Sequence, residues 1–455
     1  MAQERIKPRN LRGFQDFLPA AAQARQRIVD TFRKAFELYG FAPLETPALE
    51  TEEVLLSDMG VDANKQIYRF SDLENVKVGL RYDFTVSLAR TVAANLNRIS
   101  LPFKRYQVGP VWRYDKPKRG RYREFTQIDL DIIGVAPYEP EVEMVAAVGR
   151  GLKDLGAENY IFRVNDRRYL GDLLERLGVA PEKGKDVFRV LDKLQKQGEK
   201  KVRDELTGKL LLQDFESALE YERMQEVAIP EGAADGLLAA IKDTSGLREY
   251  LGGFLARIGQ EGVGGDNLVA DPSLTRGLDY YTGFVCEVDI KGAEALGSVG
   301  GGGRYDDLLG RYSATPLTGV GMSVGLDRLA DALAATGILE ADAGQSSARV
   351  FVAVFDDSLR AECASIARTL REAGVPTEMW LAGGNRNGRT LSKQFKYADK
   401  VGIPLAVVAG EDELAKDPPR VQLKDLRTGY GQEGKQNEIP RDELVARAKE
   451  LLGWK

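Results

Sequence analysis

The chain has 455 residues, 43% of them hydrophobic and 29% charged, with a net charge of -5. That length is too great for one compact core, so two or three domains are expected, and the mild negative charge means that nucleic-acid contacts must come from local basic patches. Histidine is absent altogether, which excludes Ser-His-Asp and Cys-His machinery, histidine general bases and histidine metal ligands at once. Chemistry must then rest on Arg, Lys, Asp, Glu, Tyr and backbone groups, a set suited to stabilising phosphate charge. The two cysteines, Cys286 and Cys363, have no metal-ligand spacing, so neither a disulfide scaffold nor a zinc site is expected and a reducing compartment fits. No apolar run reaches the eighteen residues of a membrane span, and Met1 to Pro8 lacks the apolar core of a secretory signal. A cytoplasmic protein with no membrane association is expected.

In chain order, Ile28, Phe32 and Phe36 recur at helical spacing and predict a helix over 21–40, closed by Tyr39-Gly40. Phe41 to Leu49 reads as extended, with Pro43 and Pro47 confining it to an edge or an interface. Residues 78–90 and 104–114 read as strands, enriched in Tyr, Phe and Val. Over 122–134 apolar and polar residues alternate, setting Phe125, Ile128, Leu130 and Ile132 against Gln127, Asp129 and Asp131 for most of the run. That predicts a strand with acids on one face. From 168 to 262 the texture becomes charged and helical, as in Val187 to Lys209 and Asp214 to Val227. Strand pattern returns at Thr282 to Val288, followed by a glycine cluster at 297–303 and a polar linker from Glu340 to Ser347. Beyond it Val350 to Val354, a helix, a strand near 375–381, a helix near 389–400 and Ile403 to Val408 alternate as in a small α/β domain.

The densest chemical signal lies at 104–127. Lys104, Arg105, Arg113, Lys116, Lys118, Arg119, Arg121 and Arg123 crowd a strand-loop-strand segment whose loop is marked by Pro117 and Gly120. So much positive charge suits a polyphosphate or an RNA end, although a solvated basic hairpin is the plainer reading of the charges alone.

Phe103 to Gly134, with Val-Trp-Arg-Tyr-Asp-Lys-Pro and Gly-Arg-Tyr-Arg-Glu-Phe-Thr-Gln, is similar to motif 2 of class II aminoacyl-tRNA synthetases in its histidine-specific form. The helix at 21–40 with Thr46-Pro47 resembles motif 1, which builds a dimer interface, and Gly319 to Leu329 resembles motif 3. Arg276 to Gly283 and Gly300 to Asp306 resemble two segments particular to the histidyl-tRNA synthetase family. With Leu11 to Asp16 and the C-terminal unit, the resemblance spans nearly the whole chain, and the ordered set is more specific than any one motif.

The resemblance implies an α+β catalytic core with a mainly antiparallel sheet, a helical insertion and a small α/β C-terminal domain. Its divisions would be a first part of the core at 1–167, the insertion at 168–262, a second part of the core at 263–338, and an anticodon-binding domain at 348–455. It implies ATP-dependent activation of L-histidine and transfer to tRNA(His), with Mg2+ accompanying ATP through unknown ligands, in a homodimer. Arg113 and Arg276 would be catalytic; Arg113, Arg121 and Arg328 would hold the ATP phosphates. Asp83, Thr85 and Gln127 would take the α-amino group, Asp131 and Tyr280 the two ring nitrogens, Arg276 the carboxylate, with Tyr281 and Tyr305 lining the pocket. Lys116, Lys118 and Arg119 would meet tRNA, and the cations of 389–400 would contact tRNA phosphates. Alone, Tyr280-Tyr281 reads rather as strand packing and Asp131 as a surface acid on an alternating strand. Another reading, a regulatory paralogue that senses histidine, would lack the anticodon module and erode the catalytic arginines; this chain keeps both. A tRNA-sensing module without catalysis is a third, and it would show no pyrophosphate exchange.

Overall fold

The computed structural model describes residues 6–56, 65–211, 213, 222, 224, 228–275, 281–312, 315–339, 345–383, 388–427 and 436–454. The chain divides into two compact units, one of residues 1–16 with 25–339, the other of residues 17–24 with 340–455.

The strands of the first unit are β1 (Ala42–Pro43), β2 (Leu49–Thr51), β3 (Arg69–Ser71), β4 (Lys77–Leu80), β5 (Phe103–Trp112), β6 (Glu124–Ile133), β7 (Tyr160–Asp166), β8 (Leu268–Ala270), β9 (Phe284–Ile290), β10 (Gly300–Arg304) and β11 (Gly319–Gly325). Eight of them form one sheet in the order β1-β5-β6-β11-β10-β9-β7-β8. It is antiparallel except at its margins, where β1 pairs with β5 and β8 with β7 in parallel. Pro43 lies in β1, at the edge where a missing backbone donor is tolerated. β2, β4 and β3 make a separate small sheet.

The main sheet has an apolar face and a polar one because its strands alternate with period two. Ile128, Leu130 and Ile132 of β6, Val320, Met322 and Val324 of β11, and Phe162 and Val288 from β7 and β9 belong to one buried cluster. Helices cover that face. The helix Pro19–Leu38 supplies Ile28, Phe32 and Phe36 at the spacing expected from sequence, and Glu139–Asp154 adds Val145, Val148 and Leu152. The two helices approach closely at Gly151, where a Cβ would stand 2.6 Å from the Phe32 ring. Helix Leu326–Ala335 follows β11 directly and adds Leu329 and Leu333.

Two local expectations change. The strand expected over 78–90 stops at Leu80, and a helix runs Thr85–Ala94, because the Asp83 carboxylate accepts the Thr85 backbone N–H at 3.0 Å and starts a helical turn. The charged run Val187 to Lys209 is not one helix but Gly184–Leu191, Leu194–Gln197 and Glu199–Leu206, broken before Glu199 by Gly198 at φ +82°. Most of Asp214 to Val227 lies outside the described residues. Within the glycine cluster, Gly300 to Gly303 form β10 in the interior of the sheet. A Cβ on Gly302 would lie 2.1 Å from the Gly321 carbonyl oxygen, so the strand fits there only without side chains.

The second unit holds a five-stranded sheet of β12 (Val350–Ala353), β13 (Thr377–Met379), β14 (Leu405–Val408), β15 (Arg420–Asp425) and β16 (Gln436–Pro440). Its order is β13-β12-β14-β15-β16, parallel over the first three strands and antiparallel over the last three. Helix Arg360–Glu372 packs Cys363, Ile366 and Leu370 on one face of it. Helix Gly388–Lys400 lies on the other through Ala398, and its buried Gln394 hydrogen-bonds both Val354 backbone groups.

Candidate active site

The polar face of the main sheet carries the site. Strand register puts Arg105, Gln107 and Gly109 of β5 directly opposite Asp131, Asp129 and Gln127 of β6. Those three residues of β6 in turn face Gly321, Ser323 and Gly325 of β11, and Gly301 and Gly303 of β10 come next to Ser323 and Gly321. The result is a floor of glycines bordered by polar side chains, into which a ligand can settle close to the backbone. Asp131 needs that gap: a Cβ on Gly321 would sit 1.9 Å from its Oδ1.

Asp131 is 3% exposed, far from the surface acid that alternation alone allows. Its Oδ1 accepts from the Tyr305 hydroxyl, and its Oδ2 lies 2.6 Å from Arg105 Nη2. Burial raises the pKa of Asp131, with Arg105 and Tyr305 pulling it back. Burial likewise pushes Asp129 up to about 7 despite Arg105. Tyr305 rises well above the ordinary phenol value through burial and then the Asp131 charge, so it stays a donor. Gln127 Nε2 donates to Ser323 Oγ at 2.7 Å, while its Oε1 is buried and accepts no hydrogen bond among the described residues. Asp83 and Thr85 are buried at the start of their helix, and the Asp83 charge acts on both Asp129 and Asp131.

The phosphate-type arginines gather beside this floor. Arg113 stacks 4.1 Å from the Tyr82 ring centroid and 5.1 Å from that of Phe125, and its Nε donates to the Tyr82 carbonyl at 3.2 Å. Phe125 therefore lies on the Gln127 side of β6, a departure from the alternation read in sequence. Arg328 Nε donates to the Gly120 carbonyl at 3.3 Å and Nη1 to that of Ser298 at 2.5 Å, tying the 113–123 loop to the helix after β11. Arg121 pairs with Asp115 at 2.7 Å on the same loop, where Lys116, Lys118 and Arg119 are exposed. Asp327 joins the two motifs: it accepts from the Thr126 backbone N–H at 2.8 Å and pairs with Arg25 at 2.7 Å.

The structure thus brings Asp83, Thr85, Gln127, Asp131, Tyr281 and Tyr305 into one unit with Arg113, Arg121 and Arg328. Arg276 and Tyr280 lie outside the described residues. Arg105 and Lys104 do not belong to the basic loop with which sequence grouped them: Arg105 is buried on Asp131, and Lys104 is held by the Tyr39 carbonyl and Glu143. Sequence reasoning missed Arg105, Ser323 and Gly321. Only register across three strands reveals them, and no spacing in the chain announces it.

A model of histidyl-tRNA synthetases matches residues 13–329, and one of anticodon-binding domains matches residues 349–451. The chain belongs to the histidyl-tRNA synthetase family. Members of this family activate histidine with ATP and charge tRNA(His), and they are class II aminoacyl-tRNA synthetases. The chain is 37% identical to a histidine--tRNA ligase of Rhodopirellula baltica over 447 residues, 97% of this chain and 98% of that protein. It is also 37% identical to one of Wolinella succinogenes over 468 aligned positions, 98% and 99% of the two chains. A crystal structure of histidyl-tRNA synthetase from Nostoc sp. has the same fold, with a TM-score of 0.79 and 30% identity over 98% of this chain and all of that one. Its fold class is that expected from sequence: a mainly antiparallel α+β core with a small α/β C-terminal unit. Among the described residues no helix is long and apolar enough to cross a membrane.

Proposed function

We propose that L-histidine binds on the glycine floor with its ring toward Asp131 and its carboxylate toward the arginines, and that this chain joins it to ATP and then to tRNA(His). The observation that carries the placement is the run Gln127, Asp129 and Asp131: buried acids and an amide, with Gln127 Oε1 and Asp129 Oδ1 lacking a hydrogen-bond partner among the described residues, on a sheet face stripped of side chains. An ammonium would meet Gln127 and Asp83, a ring N–H would meet Asp131, and Tyr281 and Tyr305 would wall the pocket. Polar groups left unpaired by a wrong side chain penalise it, which is the basis of selection here.

The histidine carboxylate attacks the α-phosphate of ATP, and pyrophosphate leaves. Positioning and charge neutralisation carry such a step. Arg113, stacked against Tyr82 and Phe125, suits the α-phosphate; Arg121 and Arg328 suit the outer phosphates, and Arg276 the carboxylate. Mg2+ would arrive with ATP and neutralise phosphate charge. Among the described residues no group of three acidic or thiol side chains gathers to hold a metal ion. Exposed Lys116, Lys118 and Arg119 suit the tRNA acceptor end. In the second unit, Lys393, Lys396 and Lys400 are exposed along one helix, and a cavity of about 250 Å³ bounded by Phe395, Glu413, Gln422 and Lys424 fits one unstacked base. An insertion within 168–262 is supported by a separate apolar cluster running from Leu173 to Ile241, although Leu247, Leu251, Phe254 and Ile258 pack with the main-sheet cluster. Dimerisation through the first helix and the segment after it is supported by exposed Leu38 and Leu49. A cytoplasmic site of action goes with this chemistry.

Histidine-dependent exchange of pyrophosphate into ATP tests the reading. Exchange is expected in the purified chain, reduced on the order of a thousandfold in kcat by Arg113→Ala. No exchange in the unaltered chain, or full exchange in the variant, would contradict it.

A further inference from the structure

Arg105 has no part in the chemistry above, yet with Arg304 it is one of the two largest fully buried side chains among the described residues. Its Nε, Nη1 and Nη2 all lack an aligned hydrogen bond among the described residues, as do Asp131 Oδ2 and Asp129 Oδ1. A guanidinium kept out of water with so few bonds costs stability unless its charge does something for its neighbours. What it touches is Asp131, at 2.6 Å.

We propose that Arg105 is a positioning residue that balances the charge of Asp131, so that the ring pocket takes the neutral imidazole of L-histidine and rejects imidazolium. This rests on the reading that Asp131 receives the ring. A carboxylate whose charge is already balanced keeps lone pairs to spare: Oδ1 accepts from Tyr305 and Oδ2 contacts Arg105, and each oxygen retains a second lone pair for one ring N–H. A neutral ring needs no more than that. An imidazolium would add a second cation beside a buried guanidinium, where charges are poorly screened.

The groups facing Asp131 are Arg105 from β5, Asp129 from β6, Tyr305 after β10, and the Asp83 charge from the start of its helix; Gly321 on β11 brings no side chain. Tyr281 packs beside Gly303. Burial pushes Asp129 up to about 7 and raises Asp131 as well. The chain has no histidine side chain to titrate there, so a pH effect on histidine binding belongs to the substrate or to these buried carboxyls.

Pyrophosphate exchange by the full chain between pH 6 and pH 8 separates those two sources. KM for histidine is measured beside KM, or Ki as a competitor, for (1,2,4-triazol-3-yl)alanine, whose ring stays neutral across that range. The ratio of the two constants cancels Asp129 and the shared α-amino group. It is expected to fall about fourfold from pH 6 to pH 8, the rise in neutral imidazole for a pKa of about 6.5. In Arg105→Met the fall is expected to vanish or reverse, and Arg105→Lys to restore it. A ratio that is flat or rises with pH in the unaltered chain overturns the proposal, whether or not Arg105→Met folds. So does an Arg105→Met variant that keeps the original profile. Asp131→Asn distinguishes the underlying reading: if it leaves KM for both amino acids unchanged, Asp131 does not hold the ring. If it raises KM while the ratio stays flat in the unaltered chain, the ring placement stands and the role of Arg105 falls.

Discussion

The two faces of the main sheet each bury an arginine against an acid, and the pairs differ in what they leave open. On the covered face Arg304, 1% exposed, donates through Nε to Glu141 at 2.6 Å and through Nη1 to the Val135 carbonyl at 3.3 Å and Asp306 at 3.1 Å. On the glycine face Arg105 contacts Asp131 at the same distance but forms no aligned hydrogen bond among the described residues. The Arg304 pair pins the helix Glu139–Asp154 to the sheet through three hydrogen bonds, leaving only Arg304 Nη2 and Glu141 Oε2 without one among the described residues. The Arg105 pair fronts a floor without side chains and keeps acceptor capacity in reserve. Burial of a charge pair therefore marks structure and site alike. Unused hydrogen-bonding capacity next to open space is what separates them.

Substitutions on either side can break that distinction. The largest effect is expected from Gly321→Ala, whose new Cβ would collide with Asp131 Oδ1. KM for histidine should rise on the order of a hundredfold with KM for ATP little changed, measured by pyrophosphate exchange. A variant with unaltered KM would show that the Asp131 position is not the ring site. Next, Arg304→Met should lower unfolding free energy by about 3–5 kcal/mol, because it strands Glu141, while KM for histidine stays near its original value. Denaturant titration and exchange kinetics on the same sample check both halves, and a large change in KM would erase the contrast between the pairs.

The smallest effect concerns pH. The carboxyl of Asp129 is raised in the folded chain to about 7, so between its unfolded value of about 3.9 and that point the folded state holds a proton that the unfolded state releases. Its contribution to stability is therefore present at low pH and is lost as pH rises toward 7. Asp129→Asn should gain on the unaltered chain across that window, by several °C in Tm. A Tm difference that is constant from pH 4.5 to 7.5 would contradict this.

How much of this was legible in the sequence depended on how local its cause is. The helix carrying Ile28, Phe32 and Phe36 and the alternation of Ile128, Leu130 and Ile132 against Gln127, Asp129 and Asp131 are local periodicities, and both appear as expected. The helix Thr85–Ala94 was hidden because Thr85, Val86 and Val92 have strand-like side chains, and its start depends on the carboxylate of Asp83. The glycine strand was hidden by composition: four glycines suggest a turn, and only the backbones packed against Gly302 and Gly303 explain a strand. In the candidate site, the family resemblance supplied Asp83, Gln127, Asp131 and the phosphate arginines by position. It could not show that Arg105 leaves the basic loop and pairs with Asp131, because that follows from the register of β5 against β6.

The placement of the histidine ring is tested most directly by KM for histidine in Asp131→Asn, read from pyrophosphate exchange at fixed saturating ATP. A rise of at least about tenfold, with KM for ATP unchanged, is expected from losing a charge-assisted hydrogen bond to the ring. An unchanged KM for histidine would contradict the account and move the ring away from the glycine floor.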